Sequence, residues 1–242
     1  MKNFCVSVFM LAYNQEKYIA QAIDGVLMQR TDFPVELVIG EDHSTDVTRG
    51  ICKSYAAKHP VKIKLLLNEN NLGLGKNYVR TYSECTGKYI AICDGDDYWI
   101  DPLKLQKQVD FLESQPDFEI VFTNNCNIYP SGINNVRDLS GLPGEGCFED
   151  LIFQNYIASV TAMFRNRPLS ESMKSWMREL PYGDWPTYLW ILKDGGKIGR
   201  IDEVTAVYRK DFGTSTALRK SRSRIGEINL YILEKLKNES EF

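Results

Sequence analysis

Histidine is scarce in this sequence, and no two cysteines have the spacing of a metal site. His43 and His59 are the only histidines among 242 residues, so a metal site built on histidine ligands is not expected. The six cysteines are scattered without a Cys-x-x-Cys pair, which argues against zinc-ribbon and redox motifs. Several lie in apolar runs, where cysteine behaves as a small hydrophobic residue, and reduced thiols in a cytoplasm are expected.

Long apolar runs and a large excess of one charge are also missing. No run approaches the roughly 20 apolar residues of a membrane-spanning helix, and residues 4–10 lack the length and cleavage site of a signal peptide. The net charge of −3 excludes a molecule that binds nucleic acid through overall charge. We therefore expect a soluble cytoplasmic protein, attached to a membrane at most peripherally.

Segments with strand-like and helix-like patterns alternate through the first half of the chain. Strands are predicted at residues 4–12, 35–40, 63–67, 88–93 and 119–123, and helices at residues 16–29, 45–58, 73–85 and 101–114. The strands are continuous apolar runs, as burial on both faces of a sheet requires. This order predicts an α/β fold with a mostly parallel central sheet flanked by helices.

The second half of the chain has a less regular pattern. Residues 129–146 are rich in Gly, Pro, Asn and Ser and predict a long loop able to close over a ligand. Strands are predicted at residues 157–164 and 198–208, and helices at residues 170–179 and 185–193. A final amphipathic helix has Ile225, Ile228, Ile232 and Leu236 on one face.

A basic run, Arg219-Lys220-Ser221-Arg222-Ser223-Arg224, precedes this final helix. Such a run is able to contact an anionic membrane surface, which would make the attachment peripheral. A solvated basic face is the more frequent alternative.

The acidic run Asp94-Gly95-Asp96-Asp97 directly follows a strand predicted to be buried. Three carboxylates in one turn repel each other unless a cation lies between them. Mg²⁺ and Mn²⁺ prefer such oxygen ligands and commonly share them with substrate phosphates. The glycine allows close approach of a ligand to the backbone. The turn therefore indicates a metal–diphosphate site at a strand's carboxyl end, with a solvated acidic turn as the alternative.

Four further positions suit a nucleotide site, although each has a simpler structural alternative. Tyr13, after the first strand, suits stacking on a nucleobase or a surface turn. Asp42, after the second strand, suits bonding to a base or ribose, while residues 44–46 suit a helix cap. Lys76 lies in a glycine-bearing helix start that suits phosphate binding or a plain turn. Asp184 suits a general base or an N-cap.

The order of these motifs is more specific than any one of them. Along the chain come Val6-Ser7-Val8, Ala12-Tyr13-Asn14, Glu41-Asp42-His43-Ser44-Thr45-Asp46, Asn71-Leu72-Gly73, Asp94-Gly95-Asp96-Asp97 and Gly183-Asp184-Trp185. Together they strongly resemble the family 2 glycosyltransferases over about residues 4–210. The resemblance implies the glycosyltransferase-A fold, which is Rossmann-like. It also implies a catalytic domain at residues 1–210 and a helical extension at residues 211–242.

Within that domain the resemblance implies a nucleotide-sugar half at about residues 1–125. There Tyr13 would stack on the nucleobase and Asp42 would bond its edge, with a UDP-linked sugar as the expected donor. Lys76 would approach the diphosphate. In the Asp94-Gly95-Asp96 turn, the first aspartate would lie near the ribose and diphosphate, and the second would ligate Mg²⁺ or Mn²⁺.

The acceptor half would then occupy about residues 126–210. Asp184 matches the acceptor-side carboxylate of the family, the catalytic base of a single displacement that inverts the anomeric configuration. The expected acceptor is a saccharide or a lipid-linked saccharide of a bacterial surface glycan.

Two positions depart from the family pattern. Glu41-Asp42 stands where the family often has two aspartates, and the second carboxylate is retained. Asp211 stands where relatives often have a histidine two residues after Arg209. Asp211 is therefore a candidate oxygen ligand for the metal, or else that contact is missing.

Three other functions fit this pattern less well. A sugar-nucleotide pyrophosphorylase should have a glycine-rich loop with Arg and Lys after the first strand, but residues 11–17 contain no glycine. A nicotinamide dehydrogenase is excluded because the first strand lacks Gly-x-Gly-x-x-Gly. A non-catalytic nucleotide-sugar-binding module is disfavoured by the carboxylates at positions 94, 96 and 184.

Overall fold

The sheet predicted from the apolar segments is present, with helices on both of its faces. The computed structural model describes residues 4–132, 134–210 and 221–239. The strands are β1 (Val6–Ala12), β2 (Val35–Glu41), β3 (Ile63–Leu67), β4 (Tyr89–Ile92), β5 (Tyr98–Trp99), β6 (Phe118–Ile128), β7 (Asn134–Val136), β8 (Glu145–Gly146), β9 (Ala162–Arg165) and β10 (Lys197–Arg209). The helices are α1 (Ile19–Leu27), α2 (Thr48–Lys58), α3 (Leu74–Ser83), α4 (Lys104–Ser114), α5 (Phe148–Phe153), α6 (Glu171–Met177), α7 (Asp184–Leu192) and α8 (Arg222–Lys237).

The strands lie in the order β3-β2-β1-β4-β9-β6-β10-β5, with β7 beside β6 and β8 beside β10. The pairs β3–β2, β2–β1, β1–β4 and β6–β10 are parallel. Strand β9 lies antiparallel between β4 and β6, so these two run in the same direction. The predicted α/β fold with a mostly parallel central sheet is therefore confirmed.

Alternate residues of the central strands pack against helices on opposite faces. On β1, Val8 and Met10 pack with residues of α1, α2 and α4, whereas Phe9 packs with residues of α3, α6 and α7. All three side chains are at most 1% exposed. Both faces of the sheet are covered, which explains why the strands are continuous apolar runs.

Several short elements differ from the sequence prediction. Strands β5, β7 and β8 and helix α5 were not predicted, because segments this short contain too little periodicity. Residues 157–164, predicted as a strand, contain a 3₁₀ turn at Ser159–Thr161 before β9 begins. Helix α2 begins at Thr48, later than predicted, and Asp46 Oδ1 accepts a hydrogen bond from the Thr48 N–H at 2.9 Å.

The segment predicted as a loop at residues 129–146 is attached to the sheet at several points. Its strand β7 pairs with β6, and β8 pairs with β10. Arg200 Nη1 donates hydrogen bonds to the carbonyl oxygens of Leu139 at 3.0 Å and Leu142 at 2.9 Å. Much of this segment therefore has a defined place beside β6 and β10.

Helix α8 packs against the face formed by α6 and α7. On its predicted apolar face, Ile232 and Leu236 are buried and Ile228 packs against the same core. Near its end, Glu239 accepts hydrogen bonds from Trp176 Nε1 and Ser170 Oγ, both at 2.8 Å. These contacts join the predicted extension to the rest of the fold.

The basic run before α8 is described only from residue 221 onward. There Arg222 and Arg224 are exposed in the first turn of the helix. Across residues 4–132, 134–210 and 221–239, no helix combines the length and apolar character needed to span a bilayer.

The first residue of α4 is a buried lysine. Lys104 is fully buried, and its Nζ donates to Gln108 Oε1 at 2.6 Å and lies 4.4 Å from the centre of the Trp99 ring. Loss of solvation lowers the pKa of Lys104 from 10.5 to about 7. Between these two values the unfolded chain binds a proton that the folded chain has lost, so this residue makes folding more favourable as pH rises.

The variant Lys104→Met should remove this pH dependence, because methionine has a similar length and does not titrate. The free energy of unfolding of the wild type minus that of the variant should increase by about 1.4 kcal/mol per pH unit between about pH 7.5 and 9.5. Urea unfolding at several pH values measures the difference. The exposed residue Lys53 offers a control, Lys53→Met, whose curve should stay parallel to that of the wild type. A parallel curve for Lys104→Met would contradict the assignment.

Candidate active site

A cleft of about 1160 Å³ opens at the carboxyl edge of the parallel strands. Its lining comes from the ends of β1, β2, β4, β6 and β10, from the start of α3 and α7, and from residues 153–159. This edge is the usual ligand position in open α/β sheets. The predicted site residues in the lining are Tyr13, Asp42, Lys76, Asp94, Asp96 and Asp184.

Tyr13 lies in a turn that is fastened to the turn after β2. The neighbouring Asn14 has a positive φ of 51°, its N–H donates to Ser44 Oγ at 3.0 Å, and its Oδ1 accepts from the Thr45 N–H at 2.8 Å. The two turns therefore hold each other in place, with Tyr13 half-buried in the cleft wall. His43 is exposed in the second turn, in keeping with a polar loop residue.

The carboxylate of Asp42 is held by the segment that leads into α3. Its Oδ1 accepts hydrogen bonds from Asn68 Nδ2 at 2.7 Å and the Leu72 N–H at 2.8 Å, and its Oδ2 accepts one from the Gly73 N–H at 3.0 Å. Asp42 is only 3% exposed. The Asn71-Leu72-Gly73 motif is thus the part of the chain that orients Asp42.

Glu41, the first departure from the family pattern, is fully buried behind the cleft. Its side chain pairs with Arg49 Nε at 2.5 Å and accepts a hydrogen bond from the Ser44 N–H at 2.7 Å. The carboxylate therefore joins β2 to α2 and to the turn beside Tyr13. This contact gives Glu41 a structural role.

Lys76 is exposed in the first turn of α3 and lines the cleft. The neighbouring Gly75 allows this helix to approach the end of α6 closely. A Cβ at position 75 would lie 2.6 Å from the carbonyl oxygens of Met177 and Arg178. The close packing of α3 on the end of α6 therefore requires a glycine at position 75. The first turn of α3 faces the cleft.

The three carboxylates of the acidic turn after β4 all line the cleft but differ in burial. Asp94 and Asp96 are half-buried and line the cleft. Asp97 is 2% exposed, and its burial, with the charge of Asp96 nearby, raises the pKa of the Asp97 carboxyl well above its usual value. The three carboxylates are therefore not equivalent, and Asp94 and Asp96 are more accessible to a ligand than Asp97.

Gly95 lies close to other atoms of the protein and is not among the residues that line the cleft. A Cβ at this position would lie 2.3 Å from Gln15 Oε1 and 2.7 Å from Ile19 Cδ1, and its N–H donates to the Leu11 carbonyl at 3.0 Å. The structure thus gives a packing reason for the glycine. Contact of Gly95 with a ligand stays a prediction.

Arg209, at the end of β10, fastens the acidic turn. Its backbone N–H donates to Asp97 Oδ1 at 2.7 Å, and its Nη1 donates to the Asp96 carbonyl at 2.6 Å. The guanidinium lies 4.6 Å from the ring centres of both Tyr18 and Tyr98. The sequence analysis named Arg209 only to locate Asp211 and predicted no role for it. No local pattern predicts these contacts, since the partners are distant along the chain.

Asp184 is the first residue of α7, at the N-terminal end where a negative charge is favoured. Its Oδ2 accepts a hydrogen bond from Asn155 Nδ2 at 3.1 Å. The preceding Gly183 fits against Tyr78, because a Cβ there would lie 2.7 Å from the Tyr78 ring. Gly183, rather than Asp184, is the N-cap residue, so capping does not explain this carboxylate.

The carboxylates of the acidic turn suit Mg²⁺ or Mn²⁺ in combination with phosphate oxygens. Among residues 4–132, 134–210 and 221–239, no three His, Cys, Asp or Glu side chains form a group able to hold a metal ion. Mg²⁺ commonly binds one or two carboxylates and completes its shell with water and substrate phosphates, so Asp94 and Asp96 fit that mode. The predicted ligand Asp211 lies outside the described residues.

Sequence reasoning missed a polar group at the end of β6. Asn125, Asn127 and Arg137 line the cleft, and the two asparagines are at most 4% exposed. The signal was present in the sequence, because Asn124-Asn125-Cys126-Asn127 interrupts an apolar strand with polar residues. Buried polar residues of this kind are more informative than exposed ones.

Comparison with known proteins supports the family resemblance. The chain matches the family described as "Glycosyl transferase family 2" over residues 7–170. An uncharacterized protein of Mycobacterium tuberculosis is 36% identical over 214 residues, covering 85% of this chain and 58% of the relative. EpsE of Bacillus subtilis is 38% identical over 141 residues, covering 58% of this chain and 50% of EpsE. The chain thus spans between half and three fifths of the length of these relatives.

A more distant match is the minor teichoic acid biosynthesis protein GgaB of Bacillus subtilis. It is 36% identical over 97 residues, covering 39% of this chain and 11% of GgaB. The match therefore concerns a small part of that protein.

Solved structures with the same fold include TarS residues 1–349 of S. aureus in complex with UDP-GlcNAc. It superposes with a TM-score of 0.71 at 20% identity, covering 99% of this chain and 68% of TarS 1–349. The mannosyltransferase PcManGT of Pyrobaculum calidifontis, in complex with GDP-Man and Mn²⁺, has a TM-score of 0.67 at 18% identity, covering 98% of this chain and 65% of PcManGT. At these identities the likeness establishes the fold.

The central sheet, its flanking helices and the carboxylates at its carboxyl edge define the glycosyltransferase-A class of fold. The family match covers more than half of the sequence. The chain belongs to glycosyl transferase family 2.

The variant Arg209→Met should lower the free energy of unfolding, because the acidic turn loses the hydrogen bond at the Asp96 carbonyl and the aromatic stacking of the guanidinium. The expected loss is about 1–3 kcal/mol, measured by urea unfolding. Arg222→Met, in the exposed first turn of α8, is the control and should change stability by less than about 0.5 kcal/mol. Equal stability of the two variants would show that Arg209 does not fasten the turn.

Proposed function

We propose that the cleft binds a nucleoside-diphosphate sugar, with uridine diphosphate as the nucleotide, and transfers the sugar to an acceptor hydroxyl with inversion. The observation that carries this proposal is the meeting of Asp42, Asp96 and Asp184 in one cleft, although they are far apart in sequence. Membership of family 2 supports the transfer chemistry. The UDP-GlcNAc bound to TarS, which has the same fold, supports the class of donor.

The nucleobase would bind between the turns after β1 and β2. Each carboxylate oxygen has two lone pairs, so Asp42 Oδ1 is fully used by its two hydrogen bonds and Oδ2 retains one position. That position suits an N–H donor on the edge of uracil. Tyr13, on its fastened turn, supplies an aromatic face on which the base would stack.

The diphosphate would bind at the acidic turn. Asp96 is the proposed metal ligand, Asp94 lies beside it for the ribose and diphosphate, and Lys76 supplies a positive charge from the start of α3. When bound, Mg²⁺ or Mn²⁺ neutralises the charge that develops on the departing nucleoside diphosphate. The Mn²⁺ in the complex of PcManGT supports the use of a divalent metal ion. Asp211 is retained as a proposed oxygen ligand in place of the family histidine.

Asp184 is the proposed general base. The hydrogen bond from Asn155 orients its carboxylate, and an ionised carboxylate is able to accept a proton from a hydroxyl group. As Asp184 takes the proton of the acceptor hydroxyl, the hydroxyl oxygen forms its bond to the anomeric carbon and the bond to the diphosphate breaks. Attack opposite the leaving group inverts the anomeric configuration, and no covalent sugar–enzyme intermediate forms.

The proposed acceptor is a saccharide, either free or linked to a lipid, of a bacterial surface glycan. The name of GgaB, a protein of minor teichoic acid biosynthesis, supports this class of product. A lipid-linked acceptor lies in a membrane, and the exposed Arg222 and Arg224 would then face the anionic lipid surface. The proposed location is therefore the cytoplasm, at or near the inner face of the membrane.

The variant Asp184→Asn should reduce sugar transfer by about 10²–10⁴-fold, because an amide cannot accept the acceptor proton. Binding of UDP with Mn²⁺ should be retained, since the proposal assigns Asp184 to the acceptor and not to the nucleotide. Transfer is measured as UDP release in the presence and absence of acceptor, and binding by calorimetry. Asp194→Asn is the matched control, because Asp194 is an exposed carboxylate that does not line the cleft.

Two outcomes would contradict this mechanism. Turnover near the wild-type rate in Asp184→Asn would remove Asp184 from the role of base. A product with the same anomeric configuration as the donor would exclude a single displacement.

The variant Asp96→Ala should abolish the metal-dependent part of UDP binding. The expected result is a thermal shift with UDP that Mn²⁺ enhances in the wild type but not in the variant, because a ligand that binds only the folded state raises its apparent stability. Asp110→Ala, an exposed carboxylate of α4, is the control. Retention of Mn²⁺-enhanced binding in Asp96→Ala would reject the proposed metal site.

A further inference from the structure

Two buried amides lie in the cleft at the carboxyl end of β6. Asn125 and Asn127 are two residues apart on one strand, so their side chains share a face, and they are 0% and 4% exposed. Asn125 Nδ2 donates to Asn127 Oδ1 at 2.9 Å. Asn125 Oδ1 is a buried acceptor that has no hydrogen-bond partner among the described residues. A buried polar atom without a partner is costly, so this oxygen calls for a ligand that donates a hydrogen bond.

Arg137 is held directly beside this amide pair. Its backbone N–H donates to the Asn125 carbonyl at 2.9 Å, and its own carbonyl accepts from Asn124 Nδ2 at 3.1 Å. Arg137 is half-buried and lines the cleft. Within residues 4–132, 134–210 and 221–239 its side chain makes one hydrogen bond, from Nη2 to the Tyr156 carbonyl at 2.6 Å, and no ion pair. Donors of the guanidinium therefore remain available to a ligand.

The strand order relates this group to the acidic turn. Strand β6 is the next strand beyond β4 that runs in the same direction, because only the antiparallel β9 lies between them. Two strand spacings separate their ends by about 10 Å. A nucleotide bound at β1 and β2 with its diphosphate at β4 would therefore extend its sugar toward the end of β6.

We propose that Asn125 and Arg137, supported by Asn127, form a subsite that recognises hydroxyl groups of the donor sugar; this rests on the function proposed above. A hydroxyl group both donates and accepts a hydrogen bond. It would donate to Asn125 Oδ1 and accept from the Arg137 guanidinium. The subsite thus selects a polyhydroxylated ring by a paired acceptor and donor, and it satisfies the buried oxygen of Asn125.

The experiment compares UDP with UDP-sugars in the wild type, Asn125→Leu and Arg137→Met. Calorimetry with Mn²⁺ gives the affinity for UDP, for UDP-glucose, UDP-galactose and UDP-N-acetylglucosamine, and for deoxy analogues of the tightest of them. Each variant should weaken binding of the preferred UDP-sugar by about tenfold and leave UDP binding unchanged. In the wild type one deoxy analogue should bind more weakly than its parent, and in Arg137→Met this difference should disappear.

Arg165→Met is the matched control, because Arg165 is also half-buried and binds two carbonyl oxygens but does not line the cleft. It should change neither affinity. Equal weakening of UDP and UDP-sugar in both test variants would show a structural role and overturn the proposal. If both affinities were unchanged but the KM for acceptor were altered, Asn125 and Arg137 would contact the acceptor sugar. That result would also overturn the proposal.

The deoxy analogues keep the proposal testable without any variant, since equal binding of all of them to the wild type would overturn it. Failure of the wild type to bind UDP at all would instead reject the proposed function. The two failures are therefore distinguishable.

Discussion

The cleft depends on the contacts by which Arg209 holds the acidic turn after β4. Its backbone bonds to the buried Asp97, and its side chain bonds to the Asp96 carbonyl while stacking between Tyr18 and Tyr98. Strands β4 and β10 are separated in the sheet by β9 and β6, so these contacts join distant parts of one edge. They keep mutually repelling carboxylates in a defined arrangement.

Burial distinguishes the structural carboxylates of this edge from those that face the cleft. Glu41 is fully buried and paired with Arg49, whereas Asp96 and Asp184 are partly exposed in the cleft lining. Asp42 shares features of both groups. It is buried like Glu41, but one lone-pair position of its Oδ2 remains open to a ligand. Charge is costly to bury without a partner, so each buried carboxylate has donors around it.

The parts of the fold that sequence predicted correctly are those with strong local patterns. The strands from β1 to β4 and the helices between them have long apolar or periodic segments, and their predicted bounds differ from the observed ones by a few residues. The two-residue strand β5 and the six-residue helix α5 were not predictable, because so few residues show no period. The antiparallel direction of β9 was not predictable either, since it depends on the edge from which the chain enters the sheet.

The sequence by itself determined the alternation of strands and helices and the order of the acidic motifs, because both depend on neighbouring residues. That order was sufficient to name a family and six residues that do line one cleft. Only the tertiary structure decided that Asn125 and Arg137 join them and that Gly95 packs against protein atoms. These outcomes depend on contacts between residues far apart along the chain, and no local pattern contains that information.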